Sequence, residues 1–128
     1  MRNNIINLGL IIIIAAIISG CASRCITVSK RADSAERFGT GFGELQALPP
    51  TTKTLTNGQL QGQVTVKNKK SSNQNFQYQV DWLDENGFST GQTQAWNPVE
   101  IYGNLQKTIT FTAPTPNAKD YNISLCRS

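Results

Sequence analysis

The stretch from Phe76 to Gly87 most limits what this chain can become. Phe76, Tyr78, Val80 and Trp82 alternate with Gln77, Gln79 and Asp81. Strict period-two alternation is the pattern of a half-buried β-strand, large apolar groups on one side and amides on the other. Asp84-Glu85-Asn86-Gly87 follows with turn chemistry, since Asn and Gly tolerate the positive φ that tight reversals need. A long aromatic strand ending in such a turn is a core strand of an antiparallel sheet.

The same pattern recurs. Leu60, Gly62, Val64 and Val66 alternate with polar residues after the turn at Thr56-Asn57-Gly58. The polar connection Asn68 to Asn75 then leads into the aromatic strand, so the two strands are expected to form a hairpin. Leu105, Ile109 and Phe111 form an inward row behind a Thr-rich outer row, after a turn at Tyr102-Gly103-Asn104. Tyr121, Ile123 and Leu125 make a last strand, which puts Cys126 on its outer face. Shorter strands are expected at 44–48, 88–93 and 95–102, the first ended by Pro49-Pro50. Arg37 to Gly43 reads as a glycine-rich loop with its Phe residues packed at the domain edge, because no Lys-Ser/Thr follows to make a phosphate cradle. Short strands at this spacing, without an amphipathic helix, predict an all-β antiparallel sandwich of immunoglobulin-like type.

Residues 1–20 read as a secretory leader: Arg2 supplies the positive start and Ile5 to Ile18 the apolar run. That run is shorter than the roughly 20 residues a membrane-spanning helix needs. It ends in Ile18-Ser19-Gly20-Cys21, which resembles the bacterial lipobox, whose cysteine is acylated and becomes the new N-terminus. Several acyl chains on one residue anchor a protein stably where a single chain does not. The resemblance, with Ala22 after the cysteine, implies a bacterial outer-membrane lipoprotein facing the periplasm. Residues 21–43 are then the lipidated cysteine, a tether and a possible first strand, and 44–128 the sandwich domain.

The 128-residue chain carries a formal charge of +4 and no His. So small a surplus, scattered along the chain, is no nucleic-acid footprint. Lacking His, the chain has neither the commonest general base nor the commonest metal ligand. Ser residues have no partner that would activate them. Asp81, Asp84 and Glu85 lack both the cleft geometry of paired-carboxylate hydrolysis and the spacing of a calcium loop, and read as a solvated turn. No catalytic residue, metal or cofactor is therefore expected. Cys25 and Cys126 are an even pair in an oxidising compartment, which favours a disulfide over two free thiols. Trp82 reads as core. Trp96 sits outside any clear alternation, beside Pro98, and is either buried against the sheet or an exposed contact residue. Lys67, Lys69 and Lys70 either meet anionic lipid or cell-wall carboxylates, or are a solvated loop tip.

Thr56 to Arg127 resembles the YcfL-like periplasmic lipoproteins, a family without an assigned molecular function. The matching pieces are Asn57-Gly58, Val64-Thr-Val-Lys-Asn68, Tyr78-Gln-Val-Asp-Trp82-Leu-Asp84-Glu-Asn-Gly87, Trp96-Asn-Pro98, Tyr102-Gly103 and Ala113-Pro-Thr-Pro-Asn-Ala118 with Asp120-Tyr121. The resemblance implies an immunoglobulin-type sandwich and brings no catalytic residues with it. The expectation is a non-enzymatic module attached to the membrane through its N-terminal lipid, with another envelope protein as partner. The alternative is a module that binds cell-wall glycan through Trp96 and the amide-rich faces.

Overall fold

The structure is a computed structural model that describes residues 24–39, 44–92 and 94–128. The leader and Cys21 lie outside the described residues. Nine strands run in chain order: β1 (Cys25–Ser29), β2 (Glu36–Phe38), β3 (Leu45–Ala47), β4 (Thr51–Thr54), β5 (Leu60–Asn68), β6 (Gln74–Leu83), β7 (Asn97–Ile101), β8 (Gln106–Thr112) and β9 (Asp120–Arg127). They form two sheets. One has the order β1-β9-β6-β7; in the other, β5 is flanked along one side by β3 and β4, with β2 outside β3, and along the other side by β8. Every pairing is antiparallel. The two inner faces close on one core, as an all-β sandwich requires.

Strand parity carries this arrangement. Phe76, Val80 and Trp82 of β6, Val64 and Val66 of β5, and Tyr121, Ile123 and Leu125 of β9 are all buried, while the residues between them face out or lie half-covered. Trp82, Phe111 and Tyr121 form a three-ring cluster with centroids 4.9 to 5.9 Å apart. Such pairs contribute about 0.5–1.5 kcal/mol each beyond their area. Gly62 makes room for two of the rings. A Cβ built there would lie 2.5 Å from the Phe111 ring and 2.8 Å from the Tyr121 hydroxyl. That hydroxyl lies 2.7 Å from Thr52 Oγ1, so β4 is tied to β9 across the sandwich. Burial pushes the Tyr121 phenol above its ordinary pKa, with the Thr52 hydrogen bond opposing the shift and Asp120 adding to it.

Several expectations are corrected. β5 and β6 are not a hairpin, for they lie in opposite sheets. Their polar connection passes from one sheet to the other, and both strands send their inward residues into the one core. The sandwich begins before residue 44: β1 pairs with β9 along its whole length, and Val28 and Phe38 are core residues. Phe38 is not at the edge but packs edge-on against Phe76, centroids 5.8 Å apart. Residues 88–92 form no strand; they make one bridge, Leu83↔Ser89, with Thr90 N–H donating to the Trp82 carbonyl at 2.9 Å and the Ser89 hydroxyl to Asp81 Oδ1 at 3.2 Å. Leu105 is in a turn and 57% exposed rather than inward, because β8 starts one residue later and its first inward-parity position is Lys107, off the edge of the core.

At one end of the sandwich Asn68, 2% exposed, ties two connections together. Its Nδ2 donates to the carbonyls of Ser72, Ile101 and Tyr102 at 2.9, 3.1 and 3.2 Å, and its Oδ1 accepts from the Lys70 N–H at 2.9 Å. Gly103 fits between them only because it lacks a side chain, since a Cβ there would run into the Ser71 carbonyl.

Two substitutions test the core. Trp82→Ala should cost about 3–5 kcal/mol, the usual range for emptying a buried aromatic site. Gly62→Ala should cost about 1–3 kcal/mol by forcing the rings apart. Denaturant unfolding measures both, and a neutral Gly62→Ala would mean that the rings do not need the bare backbone.

Candidate functional site

Among the described residues, no group of three or more His, Cys, Asp or Glu is gathered that would hold a metal. Asp84 spends its carboxylate on its own turn: Oδ1 accepts from the N–H groups of Asn86 and Phe88 at 2.9 and 3.0 Å. Gly87 closes that turn with φ of 84°. Asp120 pairs with Arg31 at 3.1 Å. The features that remain are surfaces, and they lie in three places.

The first is the edge beyond β6. After the Asp84 turn the chain doubles back alongside β6, with Thr90 N–H donating to the Trp82 carbonyl at 2.9 Å and Gln94 N–H to the Val80 carbonyl at 3.4 Å. Phe88 opens this segment and is 71% exposed; Trp96 closes it and is 40% exposed. Trp96 comes one residue before the Asn97↔Tyr78 pair, so β7 parity groups it with the outward Pro98 and Glu100. Trp82, by contrast, is fully buried.

The second is the pair of outer faces. On the β5–β8 face, side chains bond one another across strands: Gln61 with Thr112, Gln63 with Thr110 and Thr65 with Thr108, at 3.0, 3.2 and 2.9 Å. On the β9–β6 face the outward Gln77, Gln79 and Ser124 make side-chain hydrogen bonds to no described residue. Cys25 and Cys126 lie on this face too, directly opposite in the β1–β9 register and joined as a disulfide, with Cα atoms 4.0 Å apart.

The third is the end of the sandwich held by Asn68. Tyr102 is 61% exposed and shares a turn with the exposed Leu105, whose N–H donates to the Tyr102 carbonyl at 3.2 Å. Lys69, Lys70 and Lys107 are exposed around it and Lys67 is half-covered. Sequence reading singled out Trp96 and the lysines but missed Phe88, Tyr102 and Leu105. The signal available for Leu105 was Lys107, a charge at the inward parity of the same row.

Two solved structures share the architecture. A crystal structure of a family member from Shewanella sp. pv-4 superposes with a TM-score of 0.66 at 20% identity, covering 86% of this chain and 97% of its own. Campylobacter jejuni cj0090 superposes with a TM-score of 0.56 at 20% identity, covering 62% of this chain and 82% of its own. At that identity the likeness establishes the fold alone. No curated protein matches the sequence. The Shewanella protein is described as a member of the DUF1425 family. The model of that same family, described as a protein of unknown function, matches residues 44–127 here, from just before β3 to the end of β9. This chain belongs to the DUF1425 family.

Proposed function

We propose that this protein is a lipid-anchored, non-enzymatic envelope lipoprotein that works as an interaction module for another envelope protein, with Cys21 as the acylated residue and the outer membrane, periplasmic side, as its place. The YcfL-like motifs of the sequence agree with this reading, and the anchor rests on the lipobox-like ending of the leader. The observation that carries the interaction role is the segment from Phe88 to Trp96. It leaves two large aromatics in solvent along one sheet edge, while Phe76, Val80 and Trp82 of β6 and Tyr121, Ile123 and Leu125 of β9 are buried. Aromatics held in this way are the residue types that dominate protein-contact energies. Among the described residues the segment meets β6 through one isolated bridge rather than a continuous strand pair, so a partner can settle against it without breaking a ladder.

A second reading has its own observation. Gln77, Gln79 and Ser124 leave amides and a hydroxyl uncommitted on the face that Trp96 borders. A flat row of such groups beside an indole suits a sugar ring, so cell-wall glycan is the competing ligand.

Three measurements test these readings. Fatty-acid label incorporated in cells should disappear in Cys21→Ala; label that persists would move the anchor elsewhere. Periplasm-facing protein denatured without reductant should show no alkylation of Cys25 or Cys126, whose bridge closes a separation of 101 residues and should stabilise the fold by about 4 kcal/mol. Ready alkylation of both would remove it. Trp96→Ala should leave the unfolding midpoint within about 0.5 kcal/mol of the parent, as exposed positions usually do, and should reduce in-cell crosslinking to the partner. Loss of binding to purified cell wall with crosslinking unchanged would favour glycan. A large loss of stability would make Trp96 a core residue and end its candidacy.

A further inference from the structure

We infer that the Asn68 end of the sandwich is a membrane-docking surface, seated on the anionic headgroups of the bilayer that holds the lipid anchor. The inference extends the anchoring proposal above.

Where the chain enters the fold sets the geometry. Arg24 is the first described residue, and its carbonyl accepts from the Arg127 N–H at 2.9 Å. Arg127 Nε donates to Gln74 Oε1 at 3.0 Å, and Gln74 is paired in register with Ile101, the residue before Tyr102. The start of β1 and the Tyr102–Leu105 turn therefore share one end of the domain. Cys21 precedes Arg24 by three residues, a reach of about 11 Å at most. A lipid on Cys21 keeps the start of β1 within about that distance of the membrane surface, and docking through the same end turns the Asp84 turn and Phe88, at the other end, away from it.

The chemistry of this end matches its neighbour. Tyr102 and Leu105 project from a turn that is rigid for its length: Asn68 N–H donates to the Leu105 carbonyl at 2.9 Å, Asn104 N–H to the Lys70 carbonyl at 2.8 Å, and Gly103 N–H to Asn73 Oδ1 at 3.2 Å. Tyrosine suits the headgroup level, where its ring is in apolar surroundings and its hydroxyl stays wet. Around the pair stand the exposed Lys69, Lys70 and Lys107 and the half-covered Lys67, and the exposed Arg24 lies at the same end on the β1 side of the sheet. The neighbouring carboxylates are Glu44, half-covered, and Glu100 on β7. Basic residues close to an anionic surface each contribute about 1 kcal/mol of attraction. Two apolar tips and a cationic surround are weak binders alone, but the anchor supplies a high local concentration. The far end is mixed in charge: Asp84, Glu85 and Asp120 stand beside Arg31 and Lys119, and Arg31 is paired with Asp120.

The test uses the full chain, purified from membranes and reconstituted into vesicles. Leu105→Cys and Phe88→Cys are each labelled with the environment-sensitive dye NBD, in phosphatidylglycerol/phosphatidylethanolamine vesicles and in neutral phosphatidylcholine vesicles. On anionic vesicles the label at 105 should shift to the blue and be quenched by a nitroxide carried on the lipid, while the label at 88 stays accessible to iodide. The shift at 105 should shrink on neutral vesicles, at high salt, and when Lys69→Glu and Lys70→Glu are added. Equal iodide access at both positions would overturn the proposal, as would equal shielding on neutral and anionic vesicles. Shielding at 105 in native envelopes but on no vesicle would assign the surface to a protein and overturn it too. The intact mass of the same sample separates this from the anchor. An acylated chain with an exposed label at 105 defeats the docking surface alone, and an unacylated chain still shielded at 105 on anionic vesicles defeats the anchor alone.

Discussion

The sandwich depends on the interlock of Trp82, Phe111 and Tyr121 over the bare backbone of Gly62. Each ring comes from a different strand, β6, β8 and β9, and both sheets are represented. A glycine inside a strand is locally unfavourable, with no side chain to pack and more backbone freedom to lose. It is tolerated at position 62 because the space a methyl would take is occupied by aromatic carbon. The hydroxyl of Tyr121 then reaches Thr52, and a four-residue edge strand with every side chain exposed is held in register by a bond across the core.

Asn68 plays the corresponding part at the polar end. Connections between sheets of a sandwich leave carbonyls that no strand partner satisfies, and a buried amide can meet several of them at once. One side chain here serves three carbonyls and one N–H from both the β5–β6 and β7–β8 connections. The order of the surface at this end is thus set from inside, by a residue no ligand would touch.

What the sequence disclosed was parity, and parity has limits. The inward rows of β5, β6 and β9 were legible because apolar residues recur at every second position, Gly62 being the small member of the β5 row, and Trp82 followed from its place in such a row. Parity cannot say which sheet a strand joins, so it predicts a β5–β6 hairpin where the two strands lie in opposite sheets. β4 was missed because Thr51 to Thr54 has no apolar member to alternate. Phe38 was misplaced because a three-residue strand is too short to show a period. Of the surfaces, Trp96 stood out through its lack of parity. The basic end was legible only in part: Lys67, Lys69 and Lys70 are neighbours in the chain, whereas Leu105 joins them through the β5–β8 pairing and Arg24 through the β1–β9–β6–β7 sheet.

The Cys25–Cys126 link has a mechanical consequence. β1 is the outermost strand of its sheet and the first to feel any pull on the chain ahead of it. Without a crosslink such a pull would peel β1 from β9 one hydrogen bond at a time, the direction in which paired strands resist least. The disulfide lies at the first residue of β1, so past the single Arg24–Arg127 hydrogen bond tension crosses into β9 through a covalent bond before it loads the rest of that ladder. β9 lies between β1 and β6, and the load spreads into the middle of the sheet. A pull on the chain ahead of β1 is thus borne by the sheet as a whole rather than by its edge strand.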